Sequence, residues 1–425
     1  MKKILSTLWS NEFYQGGVVL TAGSFIVNFL NYLFNFFAAK SLGPKGFGEI
    51  TALISYLSIF SLPFTILATI IIQKISAAGI DRKTYAVLLE DLFVSKLKKM
   101  LFFCIPFIFF IPLFPQLTNL SPLSSYNLIL LTVLSFFSSF YLAANQGLRL
   151  FFLATLTAVG AVILKSAGSF LTYVGIGDIT LVQIFLFLST LFSTIATYFI
   201  FHRNTIQKIH SIRKRIEKSV VSILFSRQFL IFSLSVAGIS LFGTIDIIFV
   251  KKFFSPEIAG IYSSWSLFSK IILYAVGPFI SISFIFFSSA ETKLQQKNTL
   301  LVSIVVLLFI GIISYFLYTN FASILIAIFF GARFNAVMHY LRLASIFGSL
   351  YTALTFINNY FLSRKSVAAL ILPLGLPFYI ITLFMIPKQI EIIMQTTILF
   401  SLLVIIIYCL YFLIKYLLRL SQFSN

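Results

Sequence analysis

The stretch TLLVSIVVLLFIGIISYFLYTN, residues 299–320, carries no charged side chain. Folded as an α-helix it would extend ~33 Å, which is enough to cross a hydrocarbon core of ~30 Å. Comparable apolar runs recur along the chain, of which 60% is hydrophobic and only 10% is charged. Because a bilayer offers backbone groups no water, long uninterrupted runs predict transmembrane helices. The sequence therefore predicts an all-α polytopic membrane protein.

About twelve such spans are predicted, six in each half of the chain. The spans of the two halves are at residues 18–39, 49–73, 101–114, 126–146, 150–173 and 180–201, and at 228–250, 260–286, 299–320, 335–362, 366–386 and 392–418. Residues 321–330 are apolar but too few to cross, so we expect a continuation or a re-entrant cap of the ninth span. The predicted organisation is an N-terminal lobe (1–205), a basic cytoplasmic linker (206–227) and a C-terminal lobe (228–425).

The basic residues predict the orientation of the chain. With the N-terminus inside, 22 of the 31 Lys and Arg residues fall in inside segments, six in outside segments and three within spans. Cytoplasmic loops carry an excess of Lys and Arg, so both termini are predicted to be cytoplasmic, in a bacterial inner membrane. The net charge of +20 follows the helix ends, which argues against a nucleic-acid partner. The linker either lies on anionic headgroups or recruits partners.

Two connecting turns suggest an internal repeat. Pro44 and Gly48 follow the first span, and Pro256 and Gly260 stand in the same order after the seventh span, at an offset of 212 residues. With six helices in each half, the two repeats would have the same orientation in the membrane. The alternative is two unrelated tight turns, since Pro and Gly commonly punctuate short connections.

A family resemblance rests on four segments: residues 39–48 (AKSLGPKGFG), 245–248 (IDII), 258–263 (IAGIYS) and 329–334 (FFGARF). In these segments the sequence resembles the polysaccharide flippase (Wzx-type) family of the multidrug/oligosaccharidyl-lipid/polysaccharide exporter superfamily. The resemblance implies two six-helix lobes around a central cavity. It also implies a lipid carrier of the undecaprenyl-diphosphate type, an O-antigen or other surface polysaccharide unit as cargo, and polysaccharide polymerase or assembly proteins as partners.

Polar side chains at helical spacing predict which spans line a water-filled cavity. They occur on spans 1, 2, 7, 8 and 10, and the cavity-lining candidates are Ser24, Asn28, Asn31, Asn35, Ser55, Ser58, Ser240, Thr244, Ser266 and Tyr274. The alternative is that hydroxyls bond back to helix carbonyls or join neighbouring helices.

Three basic residues lie inside predicted spans: Lys165, Lys270 and Arg342. A charge in hydrocarbon costs roughly 3 kcal/mol on insertion scales, so each should face water, a counter-ion or a substrate. Asp246 is the one acid within a span, and it cannot neutralise all three. An excess of positive charge favours an anionic ligand such as a diphosphate. Snorkelling or a structural ion pair remains the alternative for each basic residue.

Three further side chains complete the predicted site. Arg149, in a short inner connection, is a candidate for contact with headgroups or substrate, although positive-inside topology explains it equally well. His339 stands three residues before Arg342 on the predicted helix, and with Asp246 it is a candidate for ion coupling.

These features predict a flippase that moves a lipid-diphosphate-linked oligosaccharide to the outer leaflet by alternating access. A multidrug antiporter of the same superfamily is the first alternative, disfavoured by the single embedded acid. A membrane glycosyltransferase or polymerase is the second, disfavoured by short outward loops and by the lack of paired carboxylates or a Ser/His/Asp set. Cys104 and Cys409 lie in apolar runs without metal-ligand spacing, so no metal site, cofactor or disulfide is predicted.

Overall fold

The computed structural model of the chain describes residues 12–78, 81–104, 111–205, 226–289 and 293–421. Every regular element in these ranges is helical, which confirms the predicted all-α polytopic fold class. Eight of the described helices are long and apolar enough to cross a membrane. The number rises to nine if one bent pair of helices is counted as a single span. Residues 206–225 of the predicted linker (206–227) lie outside the described residues.

The helices of the first half are numbered in chain order. They are α1 (Glu12–Ala77), α2 (Arg82–Cys104), the short α3 (Phe114–Thr118), α4 (Pro122–Gly147), α5 (Phe151–Tyr173) and α6 (Ile179–Thr205). The second half follows with α7 (Arg227–Phe242), α8 (Ile245–Phe253), α9 (Pro256–Ser289), α10 (Lys293–Asn320), α11 (Ala322–Phe329), a 3₁₀ helix (Ala332–Tyr340), α12 (Leu341–Ser363), a 3₁₀ turn (Val367–Leu370), α13 (Ile371–Met385) and α14 (Ile390–Ser421).

The first two predicted spans lie in one long element, α1. The turn expected between them is helical except at Gly43, whose backbone has φ 65° and ψ −175°. Glycine adopts this left-handed φ without a Cβ penalty, and Pro44 is pre-organised to begin the next helical turn. The connection is therefore a kink at one residue and not a loop.

The seventh predicted span is broken into α7 and α8, which are bent by 40°. The break falls at Gly243 and Thr244, between the end of α7 and the start of α8. Tyr351 of α12 donates its hydroxyl hydrogen to the Ile239 carbonyl at 3.2 Å, next to the break. The same carbonyl also accepts from the Gly243 amide at 3.1 Å, so it takes two hydrogen bonds at the interruption.

Three other predicted segments differ in detail from the described helices. Helix α2 comprises Arg82–Cys104. The third predicted span (101–114) overlaps α2 only to Cys104, and residues 105–110 are outside the described ranges. The tenth predicted span begins as a 3₁₀ helix, and α-helical structure starts at Leu341. Residues 321–330, expected to cap the ninth span, contain the separate short helix α11.

The chain forms two compact units. Unit 1 comprises Met1–Leu42 and Tyr56–Ser226, and unit 2 comprises Gly43–Ser55 and Arg227–Asn425. The segment Gly43–Ser55 therefore packs with the second half of the chain.

Each unit has its own apolar core, while many large side chains remain exposed. The unit 1 core joins α1, α2, α4 and α6 through Ile75, Ala86, Leu88, Leu89, Leu92, Phe140, Tyr141, Ala144 and Phe201. In unit 2, Trp265 is fully buried and stacks on Phe347 with ring centroids 5.3 Å apart. On α10, by contrast, Val305 and Ile312 are 65% and 68% exposed. An outward apolar face of this kind suits contact with lipid.

Candidate functional site

Lys165 is the best-defined of the predicted cations. It lies on α5 in unit 1, and its ammonium donates a 2.6 Å hydrogen bond to Asn31 Oδ1 on α1. The same nitrogen lies 4.4 Å from the centroid of the Phe34 ring, a cation–π contact. The next residue of α5, Ser166, donates to the Leu30 carbonyl at 3.0 Å. The structure thus brings together two predicted site residues, Lys165 and Asn31, by docking α5 on α1.

No carboxylate pairs directly with Lys165 in the part of the chain that the structure describes. The ammonium has three donors, and Asn31 takes one of them. Its remaining donors are available to an anionic ligand.

A polar cavity of about 210 Å³ lies between α4, α5 and α6 in unit 1. Lys165 lines it, together with Ser135, Ser138, Ser139, Ala161, Val162, Ser189, Thr190 and Ser193. None of these hydroxyl residues belonged to the predicted set, because the predicted polar stripes lie on spans 1, 2, 7, 8 and 10. A usable signal was present, since the serines of α4 and of α6 recur at helical spacing.

Asp246 lies in the core of unit 2, with only 1% of its surface exposed. It stands in the first turn of α8, where the helix dipole favours an acid. Its carboxylate accepts hydrogen bonds from the Tyr262 hydroxyl at 2.7 Å and from the Ile247 amide at 2.9 Å. The Lys270 ammonium interacts electrostatically with this carboxylate at a distance longer than a direct ion pair. Two predicted residues, Asp246 and Lys270, thus lie in one electrostatic cluster.

A tyrosine-rich shell surrounds this carboxylate. The Tyr379 hydroxyl on α13 hydrogen-bonds the Thr397 hydroxyl on α14 at 2.8 Å, and both side chains are buried. Ser266, a predicted lining residue on α9, is fully buried with a hydroxyl that lacks a partner among the described residues. Tyr274, one turn past Lys270, is 45% exposed.

The remaining predicted cations lie apart from these clusters. Arg342 is exposed at the start of α12, with its guanidinium 6.0 Å from the Tyr315 ring centroid. His339 is exposed in the preceding 3₁₀ helix, so the α-helical face that it was expected to share with Arg342 is not present. Arg149 is exposed in the α4–α5 turn with a left-handed φ of 64°.

Several predicted lining residues bond within their own helices. Ser24 donates to the Leu20 carbonyl at 2.7 Å, Asn35 to the Asn31 carbonyl at 2.8 Å and Ser55 to the Thr51 carbonyl at 2.8 Å. Thr244 likewise donates to the Ser240 carbonyl at 2.8 Å. Asn28 and Ser58 are half-buried on α1. For these hydroxyls and amides, local backbone bonding is the geometry that the structure shows.

Among the described residues, no three His, Cys, Asp or Glu side chains come together as a group that could hold a metal ion.

Solved structures define the class of this helical fold. The chain is similar to an inward-facing multidrug resistance MATE family transporter of the MOP superfamily, with a TM-score of 0.70, 12% identity and coverage of 96% of this chain and 100% of that one. It is also similar to the eukaryotic MATE transporter AtDTX14 (TM-score 0.62, 12% identity, 95% and 96% covered) and to a MATE in the bent conformation (0.59, 14%, 99% and 99%). The chain therefore shares the helical fold of these MATE transporters, and its apolar helices make it a multi-pass membrane protein.

The family follows from the sequence. A family model described as "Polysaccharide biosynthesis protein" matches residues 13–285, and the chain belongs to that family. This match confirms the resemblance to the Wzx-type flippases. No curated protein matches the sequence significantly.

Proposed function

We propose that this protein is a flippase that moves a lipid-diphosphate-linked oligosaccharide from the cytoplasmic leaflet to the outer leaflet by alternating access. The observation that carries the proposal is the ammonium of Lys165, held inside unit 1 by Asn31 without a direct carboxylate partner in the described chain. In a member of a polysaccharide biosynthesis family, such a charge suits the phosphates of a lipid-linked sugar.

The balance of embedded charges supports an anionic cargo. A carrier of cationic drugs would expose carboxylates to its ligand, but Asp246 is 1% exposed and is engaged by Tyr262. Lys270 interacts with Asp246, so its charge is partly offset. Lys165 then provides the strongest attraction for a diphosphate in the described spans.

The other predicted residues take supporting roles in this proposal. Arg149, exposed in the turn between α4 and α5, would meet headgroups and substrate at the cytoplasmic entrance. Arg342 would add positive charge near the outer end of the tenth predicted span. Asp246 is the residue that we favour for ion coupling, because a buried acid beside a lysine can exchange a small cation or a proton during the transport cycle. The exposed His339 is the weaker candidate.

The location, orientation and partners of the protein belong to the same proposal. The excess of basic residues in one set of connections supports a bacterial inner membrane with both termini in the cytoplasm. The expected partners are the lipid-linked oligosaccharide, membrane lipids and the enzymes that polymerise the exported unit. The proposed role is transport without a catalytic step.

Deletion of the gene and complementation in the host tests the proposal. Loss of the protein should accumulate a lipid-linked oligosaccharide that only cytoplasmic-side reagents reach. Complementation with Lys165→Ala should restore little export, and Lys165→Arg should restore part of it. The matched control is Lys388→Ala, since Lys388 also lies over an aromatic ring, 4.3 Å from the centroid of Phe253, but on the surface of unit 2. An unchanged lipid-linked pool with altered drug tolerance in the deletion strain would support the multidrug alternative instead.

A further inference from the structure

We infer that the polar cavity between α4, α5 and α6 is a subsite for one sugar ring that carries an acidic group, such as a uronic acid. The inference rests on the proposed function and specifies part of its substrate. The proposed subsite lies within unit 1 and recognises the glycan, in addition to the attraction of the diphosphate.

The size of the cavity limits what it holds. Its volume of about 210 Å³ equals roughly seven water molecules at ~30 Å³ each. Sites for drug-sized molecules are ~300–1,000 Å³, so this cavity has room for one ring and not for an oligosaccharide. Its wall also excludes a lipid chain, because all its lining residues except Ala161 and Val162 carry hydrogen-bonding side chains.

The hydroxyl groups of the wall are arranged mainly to accept hydrogen bonds. Ser189 and Thr190 donate their hydrogens to the Leu186 carbonyl, at 2.9 and 3.0 Å, so only their lone pairs face a ligand. Ser138 and Ser193 bond one another at 2.8 Å, which uses one of their two hydrogens. The ionised phosphate groups of a lipid-linked diphosphate offer only acceptors and would leave these lone pairs unmatched. A sugar ring offers hydroxyl donors, which match them.

Lys165 supplies a positively charged hydrogen-bond donor on the α5 side of the cavity. Its ammonium keeps donors beyond the one that binds Asn31, and the Phe34 ring restricts its position. A charge-assisted bond to a carboxylate is roughly twice as strong as a neutral one. The combination of several acceptors and one cation therefore selects a ring that bears both hydroxyl groups and an anionic substituent.

Binding of monosaccharide probes to the full chain in nanodiscs tests this inference. The probes are glucuronate, glucose and inorganic phosphate, and the readout is the dissociation constant from ligand-observed NMR. We expect glucuronate to bind about tenfold or more tightly than either glucose or phosphate. Lys165→Met should remove this preference and leave glucose binding unchanged, whereas Ser138→Ala should weaken glucose and glucuronate alike by about twofold to tenfold.

Matched controls separate the cavity from the rest of the molecule. Lys388→Met removes a surface lysine over a ring, and Ser303→Ala removes one partner of the buried Ser283–Ser303 hydroxyl pair in unit 2, at 3.3 Å. Neither should change the binding of any probe. Absence of binding to wild-type protein, meaning that the cavity holds water only, would overturn the inference, as would equal binding of the three probes or full glucuronate affinity in Lys165→Met.

The two proposals fail in different ways. If the purified protein flips a lipid-linked oligosaccharide but binds no acidic sugar, the subsite is wrong and the flippase stands. If it binds glucuronate through Lys165 yet leaves every lipid-linked oligosaccharide in its original leaflet, the flippase is wrong.

Discussion

The ion pair between Glu49 and Lys251 gives a sharp test of how unit 2 is held together. The Lys251 ammonium donates to Glu49 Oε2 at 2.6 Å, and the two side chains are only 6% and 11% exposed, respectively. Glu49 belongs to the segment Gly43–Ser55, which packs with the second half of the chain. The pair therefore fixes this segment within unit 2.

Lys251→Met keeps much of the side-chain volume and removes the charge. Removing one partner of a buried pair costs about 3–5 kcal/mol, because the other charge loses its close counter-ion. Since both side chains retain slight exposure, we expect a loss near the lower value, about 3 kcal/mol of unfolding free energy. The double variant Glu49→Gln/Lys251→Met leaves no uncompensated charge, so its loss should be about 1 kcal/mol.

Unfolding of the purified chain in detergent micelles, titrated with sodium dodecyl sulfate, measures these differences. The chain contains two tryptophans, and Trp9→Phe leaves Trp265, which is fully buried in unit 2, as the fluorescence reporter. The four variants of the cycle give the coupling energy between the two side chains. Lys388→Met controls for the loss of an exposed lysine. If Lys251→Met is destabilised by less than 1 kcal/mol, or if the double variant is no more stable than this single one, the reasoning is refuted.

Three further predictions concern close packing, a hydroxyl network and coupling. Gly260→Ala should destabilise unit 2 by about 1–3 kcal/mol in the same unfolding assay, because a Cβ at this position would overlap the Pro44 carbonyl. The control Gly277→Ala should not lower stability, because nothing lies within 4 Å of its new Cβ. Asn358→Ala should lower the free energy of unfolding by about 2–4 kcal/mol, since Asn358 Oδ1 accepts hydrogen bonds from Ser235 at 2.8 Å and from Tyr408 at 3.2 Å. Equal stability of Asn358→Ala and the surface variant Asn320→Ala would contradict this prediction. Asp246→Asn retains an acceptor for Tyr262, so it should fold normally but lose gradient-driven transport in vesicles, and undiminished transport would remove Asp246 from the coupling step.

The sequence predicted the helical fold because apolar runs of spanning length depend only on local composition. Each predicted span except the third coincides with a described helix, and the third falls largely where the chain is not described. The interruptions were harder to predict. The kink at Gly43 and the break at Gly243 depend on backbone conformation and on neighbours such as Tyr351, which hydropathy does not report.

The repeated turns illustrate what a pattern alone leaves open. Pro44 and Gly48 were matched to Pro256 and Gly260 only by their spacing in the sequence. In unit 2 a Cβ on Gly48 would lie 2.8 Å from the Gly260 amide nitrogen, and a Cβ on Gly260 would overlap the Pro44 carbonyl. The helical segments that begin at Pro44 and Pro256 thus pack backbone against backbone, which gives a physical reason for both glycines.

The site was predictable only in part. The charge of Lys165 was conspicuous in an apolar run, but its contact with Asn31 joins residues 134 positions apart and follows from the packing of α5 on α1. The hydroxyl groups of the cavity were missed because serines in a transmembrane helix usually bond to their own backbone or to neighbouring helices. Only the arrangement of α4, α5 and α6 shows that they face a common space with Lys165.

Reconstitution of the purified chain with a fluorescent lipid-diphosphate-linked oligosaccharide in liposomes tests the proposed function most directly. The measurement is the rate at which the sugar becomes accessible to an external glycosidase when it starts in the inner leaflet. Wild-type protein and Lys388→Met should give equal rates above those of protein-free liposomes, and Lys165→Met should lower the rate at least tenfold. A wild-type rate no higher than that of protein-free liposomes, or an unchanged rate in Lys165→Met, would contradict transport through this lysine.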